Sequence, residues 1–103
     1  MRRGTTPTIT FNLPFNVSTI NNVEVYFAQN DNLVIEKDMD ACTLSGTQLS
    51  VTLTQAETLS LDDEEKVEMQ ARFVFVNGSV GATKVIKAKV EEILKESEID
   101  VNV

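Results

Sequence analysis

Apolar side chains recur at every second position along much of this chain, and that alternation constrains the fold more than any other feature. In Thr8–Leu13 the apolar positions are Ile9, Phe11 and Leu13, interleaved with Thr8, Thr10 and Asn12, the pattern of a strand buried on one face. Pro14 ends it, having no N–H to offer a ladder. Val23, Val25 and Phe27 repeat the pattern in Asn22–Gln29, and Leu49, Val51 and Leu53 repeat it in Thr47–Leu53. Lys66–Val76 carries it furthest, with Val67, Met69, Ala71, Phe73 and Phe75 on one face.

Turn chemistry separates these segments. Asn30-Asp31 tolerates positive φ and joins Asn22–Gln29 to Leu33–Met39 in a first hairpin. Ser45-Gly46 joins Ala41–Leu44 to Thr47–Leu53 in a second, and Asn77-Gly78 returns Val80–Val90 beside Lys66–Val76. A two-residue loop there sets Phe75 opposite Val80, Phe73 opposite Ala82, Met69 opposite Ile86 and Val67 opposite Ala88, with Glu68 beside Lys87. A loop one residue longer turns the whole return strand to the wrong face. This register leaves Lys84 opposite Ala71 on the inward side, a conflict relieved if the lysine snorkels from an edge. Thr54-Gln55-Ala56-Glu57 is a capping box and predicts one short helical turn.

The expected fold is all-β, an immunoglobulin-like antiparallel β-sandwich of about seven strands. The Cys, Trp and Cys of antibody domains are absent. The chain divides into an N-terminal arm (residues 1–7) with a basic tip at Arg2 and Arg3, a sandwich domain (residues 8–90) and an acidic C-terminal tail (residues 91–103). Glu91–Glu96 has helical composition but is short, so a frayed turn or a flexible tail is expected. At 103 residues one modest core is feasible.

Charge and residue inventory narrow the chemistry. Nine basic residues against sixteen acidic ones give a net charge of −7, a field that repels phosphate backbones and anionic lipid. No nucleic-acid or membrane partner is expected, and the longest apolar run, Phe73–Val76, is far too short to span a bilayer. Cys42 is the single cysteine, so no intrachain disulfide forms. The absence of histidine removes the usual general base and zinc ligand. Asp31, Asp38, Asp40 and Asp62–Glu65 do not have the spacing of a calcium loop, and no glycine-rich phosphate loop occurs. The reading is of a protein with no enzymatic activity, no cofactor and no metal.

Five apolar residues fall on nominally polar strand sides: Tyr26, Val34, Val74, Val76 and Val85. Apolar patches on a protein surface mark contact sites, so these are the candidate interface, with another protein or a second copy of the chain as partner. Strand-end loops Asn16–Asn21 and Asp62–Glu65 are the alternative binding positions.

With the strands placed, the opening Arg2-Arg3-Gly4-Thr5-Thr6-Pro7-Thr8 gains significance, together with Leu13-Pro14-Phe15, Tyr26-Phe27-Ala28-Gln29-Asn30, Glu36-Lys37 and Leu53-Thr54-Gln55-Ala56-Glu57-Thr58-Leu59. The chain up to about Val90 resembles a family of short proteins encoded by bacteriophages and prophages of Gram-positive bacteria. The resemblance implies a virion tail or baseplate component, or an accessory protein of that gene module, with other phage proteins as partners. It supplies no catalytic or ligand-binding residue. Synthesis in the bacterial cytoplasm without a signal peptide, and incorporation into a virion, are the corresponding expectations. The alternative is a host-side module binding surface glycan or protein.

Overall fold

In the computed structural model, which describes residues 1–102, the alternating segments become β1 (Thr8–Asn12), β2 (Ile20–Gln29), β3 (Asn32–Lys37), β4 (Cys42–Ser45), β5 (Gln48–Thr52), β6 (Val67–Phe75), β7 (Val80–Ala82) and β8 (Ile86–Ala88). One short helix, α1 (Gln55–Leu59), follows β5. Val103, the last residue of the acidic tail, lies outside the described residues.

The strands form two antiparallel sheets, ordered β1-β5-β4 and β3-β2-β6, with β7 and β8 as successive partners along the far side of β6. In immunoglobulin terms these orders are B-E-D and C′-C-F-G, with the last strand in two pieces. The alternation dictates what fills the space between them. Phe11, Leu13, Leu49, Val51 and Leu53 from the first sheet face Val23, Val25, Phe27, Val67, Ala71 and Phe73 from the second, all buried. Phe15 caps one end edge-on to Phe73 and Phe75, with ring centroids 5.4 and 5.0 Å apart.

Local chemistry sets most boundaries as expected. Asn30 and Asp31 take φ of 49° and 63° in the first hairpin. The capping box closes at α1, where the Glu57 N–H donates to the Thr54 hydroxyl (3.1 Å) and the Thr54 N–H to the Glu57 carboxylate (2.8 Å). β3 stops at Lys37 rather than Met39, because the Asp38 carboxylate accepts from the Ala41 N–H and starts a 3-10 turn, Met39–Ala41. The second turn is Gly46-Thr47, not Ser45-Gly46, since Ser45 already pairs with Gln48. The shift is two in register, so the inward face is preserved.

The last hairpin departs further. Phe75 donates to the Ser79 carbonyl, and Val74 pairs with Val80, Phe73 with Gly81 and Arg72 with Ala82, which is a three-residue connection. Phe75 is therefore not opposite Val80, nor Phe73 opposite Ala82. The parity error is cancelled at Thr83–Val85, where one extra residue interrupts the strand and the expected pairs reappear: Met69 with Ile86, Glu68 with Lys87, Val67 with Ala88. Thr83 holds the break by exchanging bonds with Ala71, so Lys84 leaves the inward position that the simple register assigned it. Gly81 lies close against the Phe75 ring, which a Cβ there meets at 3.0 Å.

The arm and the first residues of the tail are clasped together, while the side chains from Leu94 to Asn102 are exposed. Arg2 bridges in parallel to Glu91, Arg3 N–H donates to the Glu91 carbonyl (3.1 Å), and Glu91 N–H donates to Met1 (2.8 Å). Arg2 and Arg3 pair with Glu91 and Glu96. Gly4, at φ 74°, gives Ile93 room that a Cβ closes to 2.8 Å.

Candidate interaction surface

The two sheets present different outer faces. On the first, the polar members of the alternation meet across strands: Thr8 with Thr52 (2.8 Å), Thr10 with Ser50 (2.9 Å), Asn12 with Gln48 (3.0 Å). On the second, Tyr26 stands in the middle strand β2. Ala28, Leu33 and Val85 lie on one side of it in a shallow concavity, and Val74 and Val80 lie on the other side in a second. Glu24, Glu68, Gln70 and Arg72 surround these apolar side chains. The Tyr26 hydroxyl donates to Glu24 at 2.6 Å. Desolvation, and then the neighbouring Glu24 carboxylate, push the Tyr26 pKa above its ordinary value.

Of the five residues singled out by sequence, Tyr26, Val74 and Val85 share this face. Val34 sits on the exposed edge strand β3, and Val76 lies just beyond β6 at the hairpin tip. Leu33 and Val80 were missed as surface residues. Leu33 is 56% exposed because a bulge between Phe27 and Ala28 sets it opposite Ala28, on the outer side. The sequence offers no signal for that bulge. Val80 turns outward through the three-residue hairpin connection.

The alternative binding loops spend part of their polar groups internally. Asn16 accepts from the Ser18 N–H (2.9 Å) and begins a 3-10 turn. The buried Gln29 amide donates to the Asp62 (2.8 Å) and Glu65 (3.1 Å) carbonyls and accepts from the Asp62 N–H (2.8 Å), pinning the acidic loop. Among the described residues no three acidic or cysteine side chains converge as metal ligands. Across the other side of α1, Lys37 of β3 pairs with Glu57 at 2.7 Å. Partial burial raises the Glu57 pKa, but the Lys37 ammonium and the Thr54 N–H outweigh it and hold the carboxyl below its usual range.

Sheet order and core together define the class as an immunoglobulin-like β-sandwich. No protein-family model and no curated protein matches the chain. Among solved structures it is similar to a strand-swapped dimer of the mouse leukocyte-associated immunoglobulin-like receptor 1 extracellular domain. That likeness has 12% identity and a TM-score of 0.49, covering 87% of this chain and 83% of that one. A second structure, of the immunoglobulin-like domain of the same mouse receptor, has 11% identity and a TM-score of 0.48 over the same shares.

Proposed function

We infer that this chain is a non-enzymatic interaction module of the phage or prophage type, a structural or assembly component whose partner is protein. The observation that carries the reading is the outer face around Tyr26. Burying apolar area is worth about 25 cal/mol per Å², and a tyrosine flanked by small apolar hollows and ringed by polar groups is the composition of a contact centre. A histidine-free inventory supports a building block over a catalyst. The phage assignment is supported by the Arg2–Thr8 opening and the other segments that carry the resemblance. A glycan-binding role through the strand-end loops draws less support, because the Asn16 and Asp62 side chains are spent on their own loops, on the Ser18 and Glu64 N–H groups.

Sedimentation of the purified chain tests this. Val74→Lys is expected to weaken self-association at least tenfold while leaving the melting temperature within a few degrees. A parent chain that is strictly monomeric and does not bind the products of its neighbouring genes removes the reading, as does a Val74→Lys variant that associates like the parent.

A further inference from the structure

A second surface is left open at the side of the sandwich between β1 and the β7–β8 strand. Strand A of an immunoglobulin sheet has no counterpart beside β1 among the described residues. β1 bonds β5 through alternate residues: the Leu13 N–H donates to Thr47 (2.8 Å), and the Pro7 carbonyl accepts from Leu53 (3.0 Å). The main-chain groups of Thr8, Thr10 and Asn12 therefore point to an unpaired edge. Next to that edge lies a groove of about 570 Å³, lined by Phe11, Leu13, Phe15, Phe73 and Ile86, with Lys84 on its rim. Ile86 gives the clearest sign that something is missing. Its register puts it opposite the buried Met69, on the inner face, yet it is 45% exposed because no strand covers it.

The chain also carries a segment with the complementary properties. Glu98-Ile99-Asp100-Val101 alternates acidic and β-branched residues, a strand pattern on which Ile99 and Val101 are 74% and 77% exposed. The Gln55 amide grips the Ile99 backbone at both its N–H (2.7 Å) and its carbonyl (3.0 Å). That grip fixes the segment at the Pro7 end of β1, whereas the groove opens at the Phe11–Phe15 end. At about 3.4 Å per residue the two are separated by roughly 17 Å along the strand, so the segment does not enter its own groove while Gln55 holds it.

We propose that the Glu98–Val101 segment of one copy pairs as a strand with the β1 edge of the next, placing Ile99 and Val101 in the groove over Ile86. Its occupant is thus a second copy of this chain, and the contact is head-to-tail. Charge fits the choice: Glu98 and Asp100 come from the acidic tail, while Lys84 lines the groove. Strand addition supplies main-chain hydrogen bonds for affinity and side-chain pockets for register. Because donor and acceptor surfaces differ, the contact repeats and builds a filament or closes a ring. It uses residues apart from the Tyr26 face and does not depend on that face being an interface.

Complementation tests it in full-length chains carrying Val74→Lys, which removes the sheet-face contact. This background chain is expected to form a concentration-dependent ladder of multimers in sedimentation. Ile99→Asp with Val101→Asp disables the donor, and Ile86→Lys disables the acceptor; each alone is expected to be monomeric. Mixed, they are expected to give a 1:1 dimer, since one good tail and one good groove remain. Circular dichroism checks that Ile86→Lys folds, and Lys84→Glu on the exposed rim supplies a second acceptor variant. A monomeric background chain, disabled variants that still form the ladder, or a mixture that stays monomeric overturns the proposal. An error in the sheet-face reading shows instead as Val74→Lys having no effect on the parent, with the complementation intact.

Discussion

The outer faces of the two sheets are built by the same alternation and end in opposite states. On the β1-β5-β4 face, each polar side chain of β1 finds a side-chain partner on β5: Thr8 with Thr52, Thr10 with Ser50 and Asn12 with Gln48. Around Tyr26 the corresponding positions hold Ala28, Leu33, Val74 and Val80, which have no such partner to find and gain only by burial. A face that satisfies itself gains little from being covered, since its polar side chains already have partners and present little apolar area to bury. A face of short apolar side chains gains from being covered. The difference lies in which residues occupy the outward half of an otherwise common pattern.

The largest effect that can break this comparison comes from neighbours on opposite sides of β6. Phe73→Lys buries a charge among Phe15, Phe75 and the sheet interior, where an unpaired ammonium costs more than the whole stability of a domain this size. It is expected to abolish the cooperative thermal transition, whereas Val74→Lys keeps it. Equal melting curves for the two variants mean that the inside and outside of this strand have been misassigned.

Next in size is the acidic loop that borders the sandwich. Gln29→Leu leaves the Asp62 N–H and the Asp62 and Glu65 carbonyls without their buried partner, and is expected to cost about 2 kcal/mol in chemical denaturation. Loss of only a few tenths means that water replaces the glutamine there. Thr54→Ala removes the cap of α1, the helix that joins the finished sheet to the unfinished one, at a cost of about 1 kcal/mol. A variant that unfolds at the parent's denaturant concentration denies the capping box any part in stability.

Smaller again is the acid response. Glu57 has a folded pKa below its ordinary value, so it stabilises the fold fully above its unfolded pKa and loses that contribution as pH falls through the folded one. Glu57→Gln is expected to flatten the decline in melting temperature on the acid side of the ordinary glutamate range. An unchanged acid profile means the Lys37 pairing does not hold the charge. Smallest of all, Thr10→Val with Ser50→Val exchanges one paired hydroxyl rung for two apolar groups on the exposed first face, within about 0.5 kcal/mol. If association then appears on this face too, apolar surface alone, and not the Tyr26 setting, is what recruits a partner.

Strand positions, inward faces, the Asn30-Asp31 hairpin and the Thr54–Glu57 cap were all legible in the chain. They rest on interactions between residues close in sequence: a period of two, a pair tolerant of positive φ, a side chain reaching three residues on. The two bulges were not legible, nor were the residues they redirected. Parity gave a contradiction at Lys84 without its solution, since the extra residue at Thr83–Val85 is held by bonds that Thr83 exchanges with Ala71 across the strand pair. Leu33 reached the surface by the same kind of adjustment in β2–β3. Of the candidate surface, Tyr26, Val74 and Val85 could be found by their place in the alternation, while their gathering into one patch with Leu33 and Val80 could not. Sequence by itself determined an all-β chain with one buried side per strand, because each strand carries that instruction in its own residues. Tertiary structure alone decided how the sheet edges ended, with the arm and tail clasped through Arg2, Arg3 and Gly4 and the side above Ile86 left open. The clasp turns on contacts between residues some ninety positions apart, for which the local pattern holds no term.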